Sequence, residues 1–191
     1  MGHWIRWPNK RPETEKKIIG NLNAENKVEL KVLCESLTPD DIIVEYGTYY
    51  GLSALFLAEN SKAYIVTVDH FKGSKEHNNW PNLKPLIPMM EETAIANLWD
   101  YRERVHIYKG LTAEFPAEDV LDTRDVKLVY VDASHETMDV SNDIAAAYYG
   151  FKSACICGDD WIWPSVRKAV ETFAKSHKKE IYINVNFWKL V

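Results

Sequence analysis

The sequence predicts an α/β protein whose parallel sheet is covered by helices on both faces. Three observations carry that expectation. Short apolar runs alternate with helix-like segments along most of the chain. The runs are continuous, as strands buried on both faces require, instead of alternating apolar with polar. The last two runs, over 181–185 and 187–190, have almost nothing between them. A parallel pair needs a crossover of about a dozen residues, so these two are expected to be antiparallel.

The elements follow in order. Residues 4–17 mix Trp4, Trp7 and Pro8 with Arg6, Lys10, Arg11, Lys16 and Lys17. They read as a terminal segment packed by its two tryptophans, with a basic-aromatic contact arm as the other reading. A helix is expected over 18–37, with Val28, Leu30, Val32 and Leu33 as its apolar face and Pro39 as its stop. The run 42–44 is the first strand, followed by Gly47, Gly51 and a helix over 52–59. Strand 63–68 ends at Asp69. A long connection, 72–90, carries Pro81, Pro85 and Pro88 with Trp80, Met89 and Met90, and loops of this length are often lids. Helix 91–101 precedes strand 105–108, which ends at Gly110. Strand 126–131 ends at Asp132, helix 139–149 follows, and strand 154–157 comes next. Helix 165–175 has Pro164 near its first turn.

A chain of 191 residues is expected to form one domain, with 1–39 as an N-terminal arm and helix on a core of 40–191. The net charge is −5, which lacks the electrostatic footprint of a dedicated nucleic-acid binder. No window approaches the ~20 apolar residues of a membrane span, and no signal-peptide run is visible. Of three cysteines, Cys155 and Cys157 are too close to bridge and Cys34 is distant. Reduced thiols in a cytoplasmic protein are the expectation, with no nucleic acid and no membrane as partner. A homo-oligomer is left open.

In open α/β sheets the ligand sits at the carboxyl ends of the strands. After the first strand comes Glu45-Tyr46-Gly47-Thr48-Tyr49-Tyr50-Gly51-Leu52-Ser53. Two glycines leading into a helix let the backbone approach a ligand, or simply make a tight turn. The spacing is not G-x-G-x-x-G, so a pyrophosphate cradle fits poorly. Asp69, at the end of the second strand, can accept the hydroxyl hydrogens of a ribose, in NAD or in S-adenosylmethionine alike. His70 can flank the same nucleotide. Asp132 and the pair Asp159-Asp160 end strands one strand–helix–strand unit apart, which are expected to lie side by side. Three carboxylates at one spot repel, and a hard divalent cation such as Mg²⁺ resolves the conflict. His135, on the loop of Asp132, has an ordinary pKa of about 6.5 and can take a proton at neutral pH. Cys155 and Cys157 read as packing residues within a strand. Trp161 and Trp163 flank the acidic pair as pocket walls or core.

With these residues placed, the chain resembles the class I S-adenosylmethionine-dependent methyltransferases. VEYGTYYGLSALFLA is similar to their first motif in its O-methyltransferase form, and Asp69 falls at their ribose-binding acid. VYVDASHETMDVSNDI followed by ICGDDW resembles the subgroup of small bacterial and Mg²⁺-dependent sugar O-methyltransferases. The resemblance implies a Rossmann-like doubly wound sheet of strand order 3-2-1-4-5-7-6 with strand 7 antiparallel. It makes 40–191 the methyltransferase domain. It implies a divalent metal, expected to be Mg²⁺, on Asp132, Asp159 and Asp160, and His135 as general base beside Asp132. It implies cofactor contacts from Glu45, Gly47, Thr48, Tyr49, Gly51, Ser53, Asp69, His70 and Asp132. The acid that the family often has after the glycine of strand three is missing, since Gly110 is followed by Leu111-Thr112, and Thr112 is the candidate adenine contact. The expected activity is metal-assisted methylation of a small-molecule hydroxyl. A non-catalytic S-adenosylmethionine-binding module and an NAD-dependent oxidoreductase are the alternatives.

Overall fold

The computed structural model describes residues 2–14, 20–120 and 125–191. Lys16 and Lys17 of the basic-aromatic arm, and Ile18 and Ile19 of the first expected helix, lie outside the described residues. The elements are β1 (His3–Trp4), α1 (Ala24–Cys34), β2 (Asp41–Tyr46), α2 (Leu52–Asn60), β3 (Tyr64–Asp69), α3 (Lys75–Asn79), α4 (Met90–Leu98), β4 (Val105–Lys109), α5 (Ala117–Val120), β5 (Asp125–Val131), α6 (Thr137–Gly150), β6 (Cys155–Gly158), α7 (Pro164–His177), β7 (Ile181–Asn184) and β8 (Phe187–Leu190).

The strands form one sheet in the order β1-β4-β3-β2-β5-β6-β8-β7. The pairs from β4 to β6 are parallel, and β8 runs antiparallel to both β6 and β7. Apart from β1 this is the expected order and sense. The central strand β2 explains why its sequence is a continuous apolar run. Val44 and Tyr46 face a core shared with Ile144 of α6 and Val170 of α7. Ile43 faces the other core, with Leu30 of α1, Leu57 of α2 and Leu98 of α4. Neither face of β2 meets water, so neither can be polar without a partner.

Two elements differ from expectation. The buried side of α1 is Asn26, Leu30 and Cys34, spaced four apart, while Val28 and Val32 are each 59% exposed. Positions 28 and 30 lie about 200° apart around a helix, so they cannot share a face. The N-terminal arm is not only packed by tryptophans but also adds a strand. β1 pairs antiparallel with β4, and Ile5 N–H donates to Ile107 O. Trp4 meets Tyr108 and Phe115 edge-on, and Trp7 Nε1 donates to Val105 O. This covers a sheet edge that would otherwise offer unpaired amides.

The long connection after β3 is not structureless. It contains α3 and a 3₁₀ helix, Lys84–Met89. Tyr50 Oη donates to Leu86 O, which ties it to the turn after β2. No helix among the described residues is long and apolar enough to cross a membrane. Cys34, Cys155 and Cys157 are all free.

Candidate active site

Strand register lines up one row of residues at the carboxyl edge. Tyr46 pairs with Val68 on one side and Val131 on the other, and Val131 pairs with Gly158. The next residue of each strand therefore falls beside its neighbour: Asp69, Gly47, Asp132 and Asp159, with strands about 4.8 Å apart. Asp132 N–H donates to Tyr46 O and Gly47 N–H to Val68 O, both at 2.8 Å.

Gly47 has φ +101°, and a Cβ there would lie 2.1 Å from Asp132 O. The glycine is thus required by the approach of the neighbouring strand, before any ligand is considered. Gly51, at φ +82°, starts α2 in the left-handed region that glycine favours. Between them, the Asp69 carboxylate organises the turn. Its Oδ2 accepts from the amides of Thr48 (3.0 Å) and Tyr49 (2.8 Å), and its Oδ1 from the amide of Phe71 (2.7 Å). A carboxylate has about four acceptor positions, so one remains for a ligand hydroxyl. Thr48 turns its hydroxyl inward to Thr67, 2.5 Å away. His70 Nδ1 accepts from Lys72 N–H and lies 3.8 Å from Asp69 Oδ1.

Glu45 is wholly buried one layer below the row. Thr67, its register partner on β3, donates to its Oε2, whereas Oε1 has no hydrogen-bond partner of good geometry. Burial pushes its carboxyl up to about 7, with Ser53 and Thr67 pulling back and Asp69 adding to the rise.

On the other side, the row ends in carboxylates that repel. Burial and the charges of Asp159, Asp160 and Glu45 push the Asp132 carboxyl well above its usual range, although the residue keeps some solvent contact. Burial and Asp160 raise Asp159 to about 6. Asp159 Oδ1 accepts from its neighbour's amide and from Asn186 Nδ2. Asn186 lies in the turn between β7 and β8 and is itself buried. The closing hairpin thus serves the site, with Val185 held at φ +54° to make the turn.

Asp160 also has positive φ, +64°, and its Oδ2 lies 2.6 Å from His135 Nε2. His135 stacks on Trp163 at 4.5 Å and 19°. Its Nδ1 is buried without a hydrogen bond and lies 3.7 Å from Glu76 Oε1 on α3. Burial would lower the imidazole pKa, but the bond and charge of Asp160, with Glu76 and Asp159, outweigh it and the net shift is upward.

The structure therefore brings Glu45, Asp132, Asp159, Asp160 and His135 together, beside the turn of Gly47, Thr48, Tyr49, Gly51 and Ser53. Thr112, after β4, bonds through its side chain to Asp143 of α6, which is buried and pushed up to about 7 chiefly by desolvation. Sequence reasoning missed Asp143, Glu76 and Asn186. Asp143 and Glu76 lie on helices and Asn186 in a hairpin turn, none of them just after a parallel strand, the place where ligand residues were sought. The threonine inside the apolar run IVTVD was the one readable sign of a buried polar partner for Glu45.

Among the described residues, no group of three His, Cys, Asp or Glu side chains is already arranged to hold a metal ion. The donor set nevertheless suits a hard cation in its chemistry. It is all oxygen, and burial together with neighbouring carboxylates raises the pKa of Asp132 and Asp159. Asp160 is the member turned elsewhere, toward His135.

Residues 44–161 match the family model described as a methyltransferase domain. No curated protein matches the chain in sequence. Among solved structures, cofactor-bound Rv0187 from MTB is 18% identical with a TM-score of 0.63, covering 90% of this chain and 81% of that one. TomG of Streptomyces achromogenes, an O-methyltransferase of tomaymycin synthesis solved with S-adenosylmethionine, is 17% identical with a TM-score of 0.61, covering 89% and 80%. CalS11, a TDP-rhamnose 3′-O-methyltransferase, is 15% identical with a TM-score of 0.57, covering 86% and 76%. At these identities the likeness is one of fold.

Proposed function

This chain belongs to the methyltransferase-domain family, and from that premise we propose that it methylates the oxygen of a small-molecule hydroxyl, using S-adenosylmethionine and a divalent cation. The observation that carries the reading is the meeting of three mutually repelling carboxylates with a histidine, in the same strand-end row as the glycine turn.

In this reading the turn from Gly47 to Gly51 receives the methyl donor, and the free acceptor position on Asp69 takes a ribose hydroxyl. His70 and Thr112 flank the adenine, and Glu45 with Ser53 supports the turn from below. Asp132, Asp159 and Asp160 hold Mg²⁺. When bound, the cation supplies a lowered hydroxyl pKa and a fixed direction for the acceptor. His135 removes the hydroxyl proton, and the acceptor oxygen attacks the methyl carbon in line as the carbon–sulfur bond breaks. The sulfonium becomes a neutral thioether, so positioning contributes more than charge stabilisation. Trp163, against which His135 lies, keeps the base in one plane.

Calorimetric titration with S-adenosylmethionine, with and without Mg²⁺, tests the first half. Transfer of a labelled methyl group to separate panels of phenols, sugar nucleotides and RNA oligonucleotides tests the second. The reading expects saturable cofactor binding and Mg²⁺-dependent transfer to a small hydroxyl compound. Cofactor binding without transfer in any panel would make the chain a non-catalytic module. Transfer to RNA alone would overturn the small-molecule acceptor.

A further inference from the structure

We propose that Glu76, carried by α3 over the strand ends, is the positioning residue for His135. The inference rests on the reading of His135 as a base. A histidine base must be held at one ring nitrogen and free at the other. Asp160 Oδ2 at 2.6 Å covers Nε2. Held by Asp160 alone, the ring would have that nitrogen occupied and the other facing nothing that fixes it.

Glu76 supplies the missing grip. Its Oε1 lies 3.7 Å from Nδ1, which is buried and has no hydrogen bond. That separation is beyond hydrogen-bond length, but catalytic contacts of this kind tighten when ligands fill the site. Trp163 sets the plane of the imidazole. Once the plane is set, the carboxylates at its two edges decide which nitrogen carries the hydrogen. A ring gripped at Nδ1 by Glu76 has Nε2 free once Asp160 turns back to the row of strand ends.

The segment that delivers Glu76 is built to hold it there. Ser74 caps α3 through reciprocal bonds with His77. Lys75 Nζ lies 3.1 Å from Glu136 Oε1, on the loop of His135 itself. The His77 ring packs 4.7 Å from that of Tyr49, on the glycine turn. Glu76 therefore reaches the base from an element that touches both halves of the cleft.

The test reads the ring directly, in the full chain labelled with ¹⁵N-histidine, at a pH above the end of the His135 titration followed in the same spectra. Asp160→Gly removes the carboxylate at Nε2, and glycine suits the positive φ of that position. In that variant the Nδ1 resonance of His135 is expected to move from the pyridine-like to the pyrrole-like range, because the hydrogen now faces Glu76. Adding Glu76→Ala should reverse the shift. An Nδ1 that stays pyridine-like in Asp160→Gly overturns the proposal. So does a switch that persists when Glu76→Ala is added, since another group would then hold the hydrogen at Nδ1. The readout needs neither cofactor nor acceptor. A protein that methylates but shows no switch has lost only the role of Glu76, and one that switches but never methylates has lost only the proposed function.

Discussion

The two halves of the strand-end row stand in opposite electrostatic states. Around Asp69, one carboxylate is met by three backbone amides of the turns it organises. Around Asp132 and Asp159, burial and neighbouring carboxylates push both pKa values up, and Asn186 and His135 are the polar partners at hand. The first half is completed by folding, because its donors are the chain's own backbone. The second is left with a charge that only a proton or a bound cation can balance. Catalytic substitutions should therefore separate activity from stability in one half and join them in the other.

The largest effect is expected in the acid half. Asp132→Asn should lower methyl transfer on an identified acceptor by roughly a thousandfold, about 4 kcal/mol of barrier. The same change should leave the melting temperature of the metal-free protein equal or higher, since it removes a repelling charge. His135→Ala should cost about 10²–10⁴ in turnover, the usual worth of a general base. A variant that melts lower yet still turns over would break the contrast. In the glycine half the outcome inverts. Gly47→Ala should destabilise the fold by about 3 kcal/mol or more in urea titration, because positive φ and the contact with Asp132 O act together.

A third effect comes from the layer beneath. Glu45 sits at about 7 against an ordinary 4.5. A carboxyl whose folded pKa is raised contributes stability below its unfolded pKa and loses it as pH rises through the folded value. Stability should therefore fall between about pH 4 and pH 8, by an amount on the order of 3 kcal/mol from Glu45 alone. Glu45→Gln should flatten that part of the slope, and a stability curve that instead rises through this range would contradict it. Asp143, also at about 7, adds to the fall with the same sign and remains in that variant.

The sheet was legible because a strand buried on both faces must be apolar throughout, and β2, β3 and β5 announce themselves that way. The acid cluster was legible because three acids at two adjacent strand ends exceed what capping needs, and register then brings Asp132 beside Asp159. What stayed hidden depends on distant chain. β1 is two residues long, and its strand character comes from β4, not from its own pattern. Val28 and Val32 suggested a face that α1 turns outward, since Asn26 is held inside by Tyr130. Asn186 and Glu76 reach the site from a hairpin turn and a polar stretch of a long connection, where no periodicity marks them.

The smallest expected effect bears on the element that joins the two halves. Lys75 and Glu136 are both well exposed, and an exposed ion pair contributes about 0–1 kcal/mol. Lys75→Ala should shift the unfolding midpoint by no more than that. The crossing segment has other ties: Tyr50 Oη on Leu86 O at 2.7 Å, and the His77 ring against Tyr49. Both lie toward the glycine turn. Losing Lys75 should thus release the segment on the acid side alone, and hydrogen exchange should quicken in the amides of α3 while those near Leu86 keep their protection. Faster exchange along the whole of 75–89 would mean that a single exposed pair holds the segment. No change in α3 would mean that Glu76 and His135 already hold it without Lys75.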